Sequence, residues 1–319
     1  MSRLLLAGAL ALVAAPAALA ANGPSPGVVS GGNGVVAPGG AIRYVTVPAG
    51  ARTTLEAVRV RDGRVVRFAS FPGRFGIPLT TYSGSTGGVS ADGLTVVLTD
   101  ASPHSAPLRD ATSFLVAYTK TFETRAEITL TGDFAFDALS PDGKMLYLIQ
   151  HLSATDTSRY IVRAYDVGNG VLLSGTVADK SQEGWVMAGA PVARATGPGG
   201  RRVYTLYQRT GGTPFVHALD TTMGVAHCIG IPWTGDQTAI WKLRLSLGHG
   251  GRTLAIHWQS GRKFMLMDTR SWRLSTPHGG GFAWGILAAA IGGAFVLLLA
   301  AALLRRALRA AGPLAARPA

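Results

Sequence analysis

The sequence contains few of the residues that disulfide-bonded and metal-binding proteins need. Cys228 is the single cysteine, so no internal disulfide can form and a packed core must hold the fold together. The seven histidines are scattered singly, whereas a structural zinc site needs several ligands at short spacing. We therefore expect no metal and no cofactor.

Catalytic residues are scarce as well. Glycoside hydrolysis needs an acid and a base or nucleophile held at a defined separation. Of the four glutamates, Glu56, Glu123 and Glu127 lie at positions typical of a solvated strand face, which leaves Glu183 as the one candidate. No Gly-x-Ser-x-Gly elbow occurs. We predict a protein without catalytic activity, and a carbohydrate hydrolase is the alternative.

The two ends of the chain predict export and anchoring. Residues 1–20 have the basic start, the apolar run and the Ala-Leu-Ala ending of a secretory signal peptide. Residues 282–304 carry no charge and are followed by Arg305, Arg306 and Arg309, which indicates a transmembrane helix and a cytoplasmic tail at 305–319. The prediction is a single-pass cell-membrane protein whose N-terminal domain is extracytoplasmic.

The predicted outer domain is basic. Five of the 30 lysines and arginines lie in the signal or the tail, which leaves 25 against 17 acidic residues and a net charge of +8. Such a charge favours anionic partners, namely lipid headgroups or an anionic envelope polymer. Nucleic acid is not expected, because the domain is predicted to be exported.

One turn recurs five times along this domain. Its last glycines are 53, 50, 57 and 51 residues apart, and alternating strands follow: Gly40, Gly93, Gly143, Gly200 and Gly251. Tight turns with glycine between alternating strands are strong hairpin signals. A second hairpin lies further along each copy, so the repeat unit has four strands. Four-stranded units in series predict an all-β fold, a β-propeller of about five blades, with a β-sandwich as the alternative.

Two copies of the repeat resemble a known group. Ser140-Pro-Asp-Gly-Lys144 and the following Met-Leu-Tyr-Leu148 are similar to the strand signature of bacterial WD-repeat-like, TolB-like and YVTN-type propellers, and Tyr165-Asp-Val-Gly-Asn-Gly170 resembles their second turn. This resemblance implies a fold and a habit of binding, and it implies no reaction. The predicted domains are the signal (1–20), a Gly/Pro-rich linker with the start of the first blade (21–40), the propeller (41–278), a glycine linker (279–281), the helix (282–304) and the tail (305–319).

Loop lengths predict which side of the domain binds. Alternating strands place the tight glycine turns at one end of every blade and the long loops at the other end. These long loops are 72–87, 99–112, 150–159, 178–189, 208–214, 232–240 and 259–262. Their aromatic and charged side chains suit an interface, and the candidate binding residues are Arg74, Tyr82, His104, Arg109, His151, Arg159, Glu183, Trp185, Arg209, Trp233, Asp236 and Trp258. The alternative is that the tryptophans pack beneath the loops.

These observations together predict a membrane-anchored propeller that binds a protein or an envelope component. A subunit of a membrane protein assembly is a further alternative, based on the small residues Ala288 and Gly292 in the predicted helix. The last predicted strand, 272–275, runs toward the long loops, and six residues separate it from the helix at Phe282. We therefore expect the long loops to lie near the membrane.

Overall fold

The computed structural model describes residues 25–102, 108–153, 159–179, 181, 186–209 and 211–277. These residues form 22 β-strands joined by turns and three short 3₁₀ segments. Across the described ranges, no helix is long and apolar enough to cross a membrane. The predicted signal peptide at 1–20, the glycine linker at 279–281, the helix at 282–304 and the tail at 305–319 all lie outside these ranges.

The strands form five antiparallel sheets that follow one another along the chain. The first short strand, β1 (Val28–Val29), joins sheet 2 rather than sheet 1. Sheet 1 holds β2 (Val35–Val36), β3 (Ile42–Ala49), β4 (Arg52–Arg59) and β5 (Val65–Pro72). Sheet 2 holds β6 (Phe75–Pro78), β7 (Thr95–Asp100), β8 (Ala111–Tyr118) and β9 (Thr124–Thr131).

The remaining three sheets repeat this order. Sheet 3 holds β10 (Phe134–Leu139), β11 (Met145–His151), β12 (Arg159–Asp166) and β13 (Val171–Leu172), and β14 (Met187–Ala188) also pairs with β12. Sheet 4 holds β15 (Ala190–Thr196), β16 (Arg202–Gln208), β17 (Phe215–Asp220) and β18 (Val225–Gly230). Sheet 5 holds β19 (Leu243–Leu247), β20 (Thr253–Trp258), β21 (Lys263–Asp268) and β22 (Leu274–Ser275).

The recurring glycine turns lie where the sequence predicts them. Each joins the first and second strands of a sheet, and all five glycines have positive φ, between 67° and 73°. In the turn of sheet 3, the Ser140 hydroxyl donates to Asp142 at 2.7 Å and accepts from the Met145 amide at 2.9 Å. The serine and the aspartate of the motif therefore stabilise the turn, and the glycine supplies the left-handed backbone that it requires.

These turns also contact one another across the sheets. The amide of Asp92 in sheet 2 donates to the carbonyl of Pro141 in sheet 3 at 3.0 Å. A Cβ atom on Gly200 would lie 2.6 Å from Cβ of Ala91, and one on Gly251 would lie 2.7 Å from Cδ of Pro198. The first turns of all these sheets therefore lie on one side of the domain, which we call the turn face. The opposite side is the long-loop face.

The apolar core consists of four clusters, each placed between two consecutive sheets. Sheets 1 and 2 share one cluster, and the pairs 2 and 3, 3 and 4, and 4 and 5 share the others. Leu55, Leu148, Leu206 and Leu254 are fully buried members of these clusters. Among the described residues, none of the four clusters contains side chains from both sheet 1 and sheet 5.

A segment that we call the inner loop, residues 79–88, interrupts the first strand of sheet 2 and contacts the other four sheets. The Thr86 hydroxyl donates to the carbonyl of Gly34, the residue before β2 in sheet 1, at 3.2 Å. Gly87 packs on Phe136 of sheet 3, because a Cβ there would lie 2.7 Å from the phenyl ring. The amide of Tyr82 donates to the carbonyl of Pro191 in sheet 4 at 3.0 Å, and its ring contacts Trp241, which precedes sheet 5, with 5.8 Å between centroids.

One segment of ten residues can reach all five sheets only if their first strands surround it. The sheets therefore have a propeller-like arrangement, as the sequence predicts. The prediction that residues 72–87 form a loop on the long-loop face is wrong, because Phe75–Pro78 is a strand and the inner loop turns toward the common axis.

Candidate functional site

The long-loop face is the candidate site, and its best-defined feature at the axis is a pair of aromatic rings. Tyr82 and Trp241 meet edge to face, and 38% of Trp241 is exposed. Burial raises the pKa of the Tyr82 hydroxyl to about 12. The pair offers an aromatic surface beside a hydroxyl that stays protonated at neutral pH. Tyr82 was predicted for this site, whereas Trp241 was not among the candidate binding residues.

A second aromatic group lies between sheets 4 and 5. Trp233 lies 6.1 Å from Trp258 and 5.3 Å from Phe264 between ring centroids. The guanidinium of Arg262 lies 5.6 Å from the Trp258 centroid. Both tryptophans are half-buried and pack on the cluster shared by these sheets. The structure thus brings two predicted residues together, and both of them contribute to packing as well as to the surface.

A buried ionic group connects sheets 2 and 3 beneath this face. The guanidinium of Arg109 lies 2.9 Å from the Asp133 carboxylate and donates to the Phe134 carbonyl. Nδ1 of His151 lies 3.5 Å from the same carboxylate. The side chain of His151 is fully buried, which corrects its assignment to an exposed binding loop. Arg109 and His151 hold the ends of the two sheets together and are not part of the exposed surface.

The other predicted residues do not form one cluster. Arg74, Arg159 and Arg209 are exposed on separate sheets. Asp236 is exposed but caps the 3₁₀ segment at Gln237–Lys242, where its carboxylate accepts from the Thr238 amide at 2.9 Å. Three further candidates, His104, Glu183 and Trp185, lie outside the described residues.

A cavity of about 380 Å³ opens between sheets 3 and 4. Its lining includes Asp179, Met187, Arg209, Phe215 and Cys228. The Asp179 carboxylate accepts from the Cys228 amide at 2.7 Å. Of these residues the sequence singled out only Arg209 for binding, because their convergence depends on how the two sheets pack.

Cys228 is a structural residue in this wall. Its Sγ lies 3.5 Å from Nδ1 of His217, which is its partner across the strands β17 and β18, rather than beside its sequence neighbour His227. Burial raises the pKa of the thiol to about 12, so the thiolate that would act as a nucleophile is not populated at neutral pH.

Behind the cavity, sheets 3 and 4 share a buried ion pair. Arg194 of β15 bonds to the carboxylate and to the carbonyl of Asp137 in β10. Both side chains are at most 9% exposed. The rings of Tyr207 and His217 pack beside this pair, and burial lowers the pKa of His217. The Asp137 carboxylate is therefore committed to an ion pair that joins the two sheets.

The aspartates of the turns are also committed to structure. The carboxylate of Asp166 accepts from the amide and the side chain of Asn169, and that of Asp268 accepts from the amide and the hydroxyl of Ser271. These hydrogen bonds hold the pKa of each group below its usual range. Across the described ranges, no group of three or more His, Cys, Asp or Glu could hold a metal ion.

Comparisons with known proteins bear on the fold. No protein-family model matches the chain, and no curated protein matches it by sequence. Among solved structures, the chain is similar to TolB from Acinetobacter baumannii, with 15% identity, a TM-score of 0.43 and coverage of 77% of this chain and 55% of that one. It thus spans about half the length of that TolB chain.

Two further structures extend the comparison. The β-propeller domain of Cps50 (Swd1) from Myceliophteria thermophila is 9% identical, with a TM-score of 0.46 and coverage of 79% and 73%. The dihydro-heme d1 dehydrogenase NirN is 15% identical, with a TM-score of 0.45 and coverage of 79% and 47%. The fold-level resemblance to TolB and WD-type propellers, predicted from the sequence, is found here. At these scores the likeness carries no argument about activity.

Proposed function

We propose that this protein is a non-catalytic binding protein that engages a protein partner through its long-loop face. The observation that carries the proposal is the aromatic pair at the long-loop end of the axis, where Tyr82 of the inner loop meets Trp241 of the 3₁₀ segment before sheet 5. Aromatic side chains provide much of the binding energy at protein interfaces because they combine contact area with few rotatable bonds. Arg74, Arg159 and Arg209 are exposed on separate sheets at the same end of the domain and can add directed hydrogen bonds.

The described carboxylates support the absence of catalysis. A general acid needs a raised pKa near neutral pH. Asp133 and Asp137 are paired with arginines, and the turn aspartates Asp166, Asp236 and Asp268 have lowered pKa values because they accept hydrogen bonds. Incubating residues 21–281 with a panel of polysaccharides and esters should release no product. Product release that disappears in Glu183→Gln would replace this proposal with a hydrolase.

Anchoring and orientation complete the proposal. The chain is held in the cell membrane by residues 282–304, with the domain outside the cytoplasm. The final strand β22 is antiparallel to β21, whose C-terminal end meets the turn face, so the described chain ends at the long-loop face. This direction supports a long-loop face close to the membrane, with a membrane protein or lipid headgroups as partner. Deleting residues 282–319 should move the protein from the membrane fraction to the soluble fraction.

Photo-crosslinking tests the proposed face. A benzoylphenylalanine placed at Arg74, Arg159 or Trp241 of the full chain, in the membranes of its producing cells, should give one shared crosslinked protein band. The same group at Asn169 or Thr222, on the turn face, should give none. Equal crosslinking from both faces, or none from the long-loop positions, would overturn the proposal.

A further inference from the structure

A cleft of about 390 Å³ lies between sheets 4 and 5 at the turn face. Its walls are the glycine turns that join the first and second strands of these sheets, together with the C-terminal ends of their third strands, β17 and β21. Sites for small molecules have volumes of about 300–1,000 Å³. Among the described residues that line the cleft, four are arginines and one is an acid: Arg201, Arg202, Arg252, Arg270 and Asp220. We call this site the arginine cleft.

Arg202 is held in place at one side of the arginine cleft. Its Nη1 donates to the carbonyl of Thr269, which follows β21, at 2.9 Å, and its guanidinium lies 5.5 Å from the ring centroid of Trp272. Its Nε lies 3.6 Å from the carboxylate of Asp220. A guanidinium has several N–H donors, so these contacts leave donors for a ligand. Because its position is already fixed, Arg202 would lose little conformational entropy on binding.

Trp272 contacts Arg202 from a strained backbone position. Its φ is 60°, in the left-handed region that favours glycine. At this position of the turn between the third and fourth strands, three other sheets have glycine: Gly63, Gly170 and Gly224. Sheet 2 has Phe122, which is buried against Tyr44, whereas Trp272 is half-buried and lies against Arg202. Strained residues cluster at functional sites, so this outlier indicates that the position of Arg202 matters.

The other three arginines of the cleft are available to a ligand. Arg201, Arg252 and Arg270 are exposed, and across the described ranges none of them forms an ion pair. The carboxylates of Asp220 and Asp268 accept hydrogen bonds within their own turns. Four arginines against these two aspartates leave a net charge of +2 around the cleft.

Tyr204 lines the same cleft and offers a hydroxyl that the fold does not use. The residue is only 2% exposed. Within the part of the chain that the structure describes, its hydroxyl has no hydrogen-bond partner. A buried tyrosine hydroxyl usually has one. A ligand in the arginine cleft would supply an acceptor for it.

The neighbouring cleft between sheets 3 and 4 shows that this charge is local. That cleft has a volume of about 340 Å³ and includes the turn at 222–224 of sheet 4. No charged residue occurs among its described lining residues, which include Met145, Leu173 and Met223. A general excess of arginine over the domain would give both clefts a similar charge. The arginines are instead concentrated between sheets 4 and 5.

We propose that the arginine cleft binds the phosphate group of a phosphate ester. The planar guanidinium fork matches pairs of phosphate oxygens, and charge-assisted hydrogen bonds of this kind are roughly twice as strong as neutral ones. Arg202 supplies a fixed fork, and the three exposed arginines supply movable ones. The Tyr204 hydroxyl donates to a further oxygen. Because the cleft lies on the turn face, this inference does not depend on the function proposed for the long-loop face.

Calorimetric titration of the full chain in a non-ionic detergent tests this site. The probe is glucose 6-phosphate, and glucose is its uncharged counterpart. We expect saturable binding of glucose 6-phosphate that weakens as salt is added, and no binding of glucose. Saturable binding of glucose with the same affinity would overturn the proposal.

Two arginine variants locate the bound phosphate. Arg252→Gln and Arg270→Gln should each weaken binding about tenfold or more, because each removes a charge-assisted hydrogen bond. The matched control is Arg61→Gln, since Arg61 takes the place of Arg270 in the corresponding turn of sheet 1 and its side chain is 78% exposed. This variant removes the same charge away from the cleft and should change the affinity by less than about twofold. Equal weakening in all three variants would reflect only a basic domain and would overturn the proposal.

Tyr204→Phe separates binding from folding. Because the hydroxyl has no partner within the described residues, its removal should leave the urea midpoint unchanged. Binding of the phosphate ester should weaken about fivefold, since a hydrogen bond to the ligand is lost. An unchanged affinity would overturn the assignment of Tyr204 to the site.

A second probe identifies the source of the phosphate. Glycerophosphoglycerol is the water-soluble headgroup of phosphatidylglycerol and carries a phosphodiester. Tighter binding of glucose 6-phosphate would assign the cleft to a soluble monoester, and tighter binding of glycerophosphoglycerol would assign it to a lipid headgroup. The second result would support the phosphate site but would overturn the orientation proposed above, because the turn face would then lie at the membrane. Absence of binding of both probes would overturn the site itself.

Discussion

Sheets 1 and 2 have the same strand order, yet their apolar side chains differ in burial. In sheet 2 both faces are covered, so Val96 and Leu115 pack toward sheet 1 while Val97 and Phe114 pack toward sheet 3. In sheet 1 the face with Tyr44 and Leu55 packs on sheet 2, whereas the other face is covered only in part. Val45 and Val58 are buried there, and Val47 and Phe68 are exposed. The same strand pattern therefore produces a core side chain or an exposed one, according to what covers each position.

The largest expected effect on the free energy of unfolding concerns the buried interface between sheets 3 and 4. Arg194→Met leaves the buried carboxylate of Asp137 without its arginine, and loss of one partner of a buried pair costs about 3–5 kcal/mol of the free energy of unfolding. Urea denaturation measures this loss. The control is Lys144→Met, whose contact with Asp142 at 3.4 Å is exposed and contributes below about 1 kcal/mol. Equal losses would show that the interface of sheets 3 and 4 is hydrated.

A pair of truncations compares a buried and an exposed apolar side chain directly. Leu148→Ala creates a cavity between sheets 2 and 3 and should lower the free energy of unfolding by about 2–5 kcal/mol. Phe68→Ala removes a side chain that is 71% exposed and should stay within about 0.5 kcal/mol. Denaturant midpoints measure both. A large loss in Phe68→Ala would mean that another part of the chain covers Phe68.

Alanine substitutions at two turn glycines should give a smaller and more specific difference in stability. Gly200 and Gly250 both have φ near 71°, so alanine at either position incurs backbone strain of about 1–2 kcal/mol. The methyl group at Gly200 also meets Ala91 at 2.6 Å, whereas the one at Gly250 has no atom within 4 Å. We expect thermal unfolding to show Gly200→Ala as the less stable variant by about 1–3 kcal/mol. Equal stability would contradict close contact of the turns.

The sequence predicted the parts of this fold that depend on local chemistry. The strands and their glycine turns were predicted because positive φ and alternating apolar residues leave a local signal at each position. The inner loop was not, since Leu79–Gly88 carries turn-like residues and its partners, such as Gly34 and Pro191, are far away in the chain. Likewise, the pattern of valines in sheet 1 cannot reveal that Val45 is buried while Val47, on the same face, is exposed.

The candidate site was likewise predicted only where the signal is local. Loop length placed Tyr82, Trp233 and Trp258 toward one end of the domain, and the structure brings the two tryptophans together. Burial of His151 and the capping role of Asp236 depend on contacts made after folding. The local sequence does not show whether a polar residue in a long loop will be exposed to solvent or will join an ion pair beneath the loop.

The smallest expected effect is a difference in acid sensitivity between sheets 3, 4 and 5 and the first two sheets. Asp166, Asp220 and Asp268 end the third strands of these sheets, where sheets 1 and 2 have Arg59 and Tyr118. All three aspartates have a pKa below the ordinary value; in Asp166 and Asp268 hydrogen bonds from the turn are the main cause, and in Asp220 such bonds outweigh the opposing effect of burial.

A group whose pKa is lowered by folding stabilises the folded state above its unfolded pKa, which is about 3.9 for aspartate. That stabilisation is lost as the pH falls through the folded pKa, so the free energy of unfolding should decrease below about pH 4. Asp220→Asn should make this decrease shallower, because one titrating group is gone: the stability at pH 7 falls by the contribution of the ionised carboxylate, while the stability at pH 2 changes little. Urea titrations between pH 2 and 7 measure both slopes. The matched control is Asp62→Asn in the corresponding turn of sheet 1, and a shallower slope in that variant alone would place the acid sensitivity in the first sheet instead.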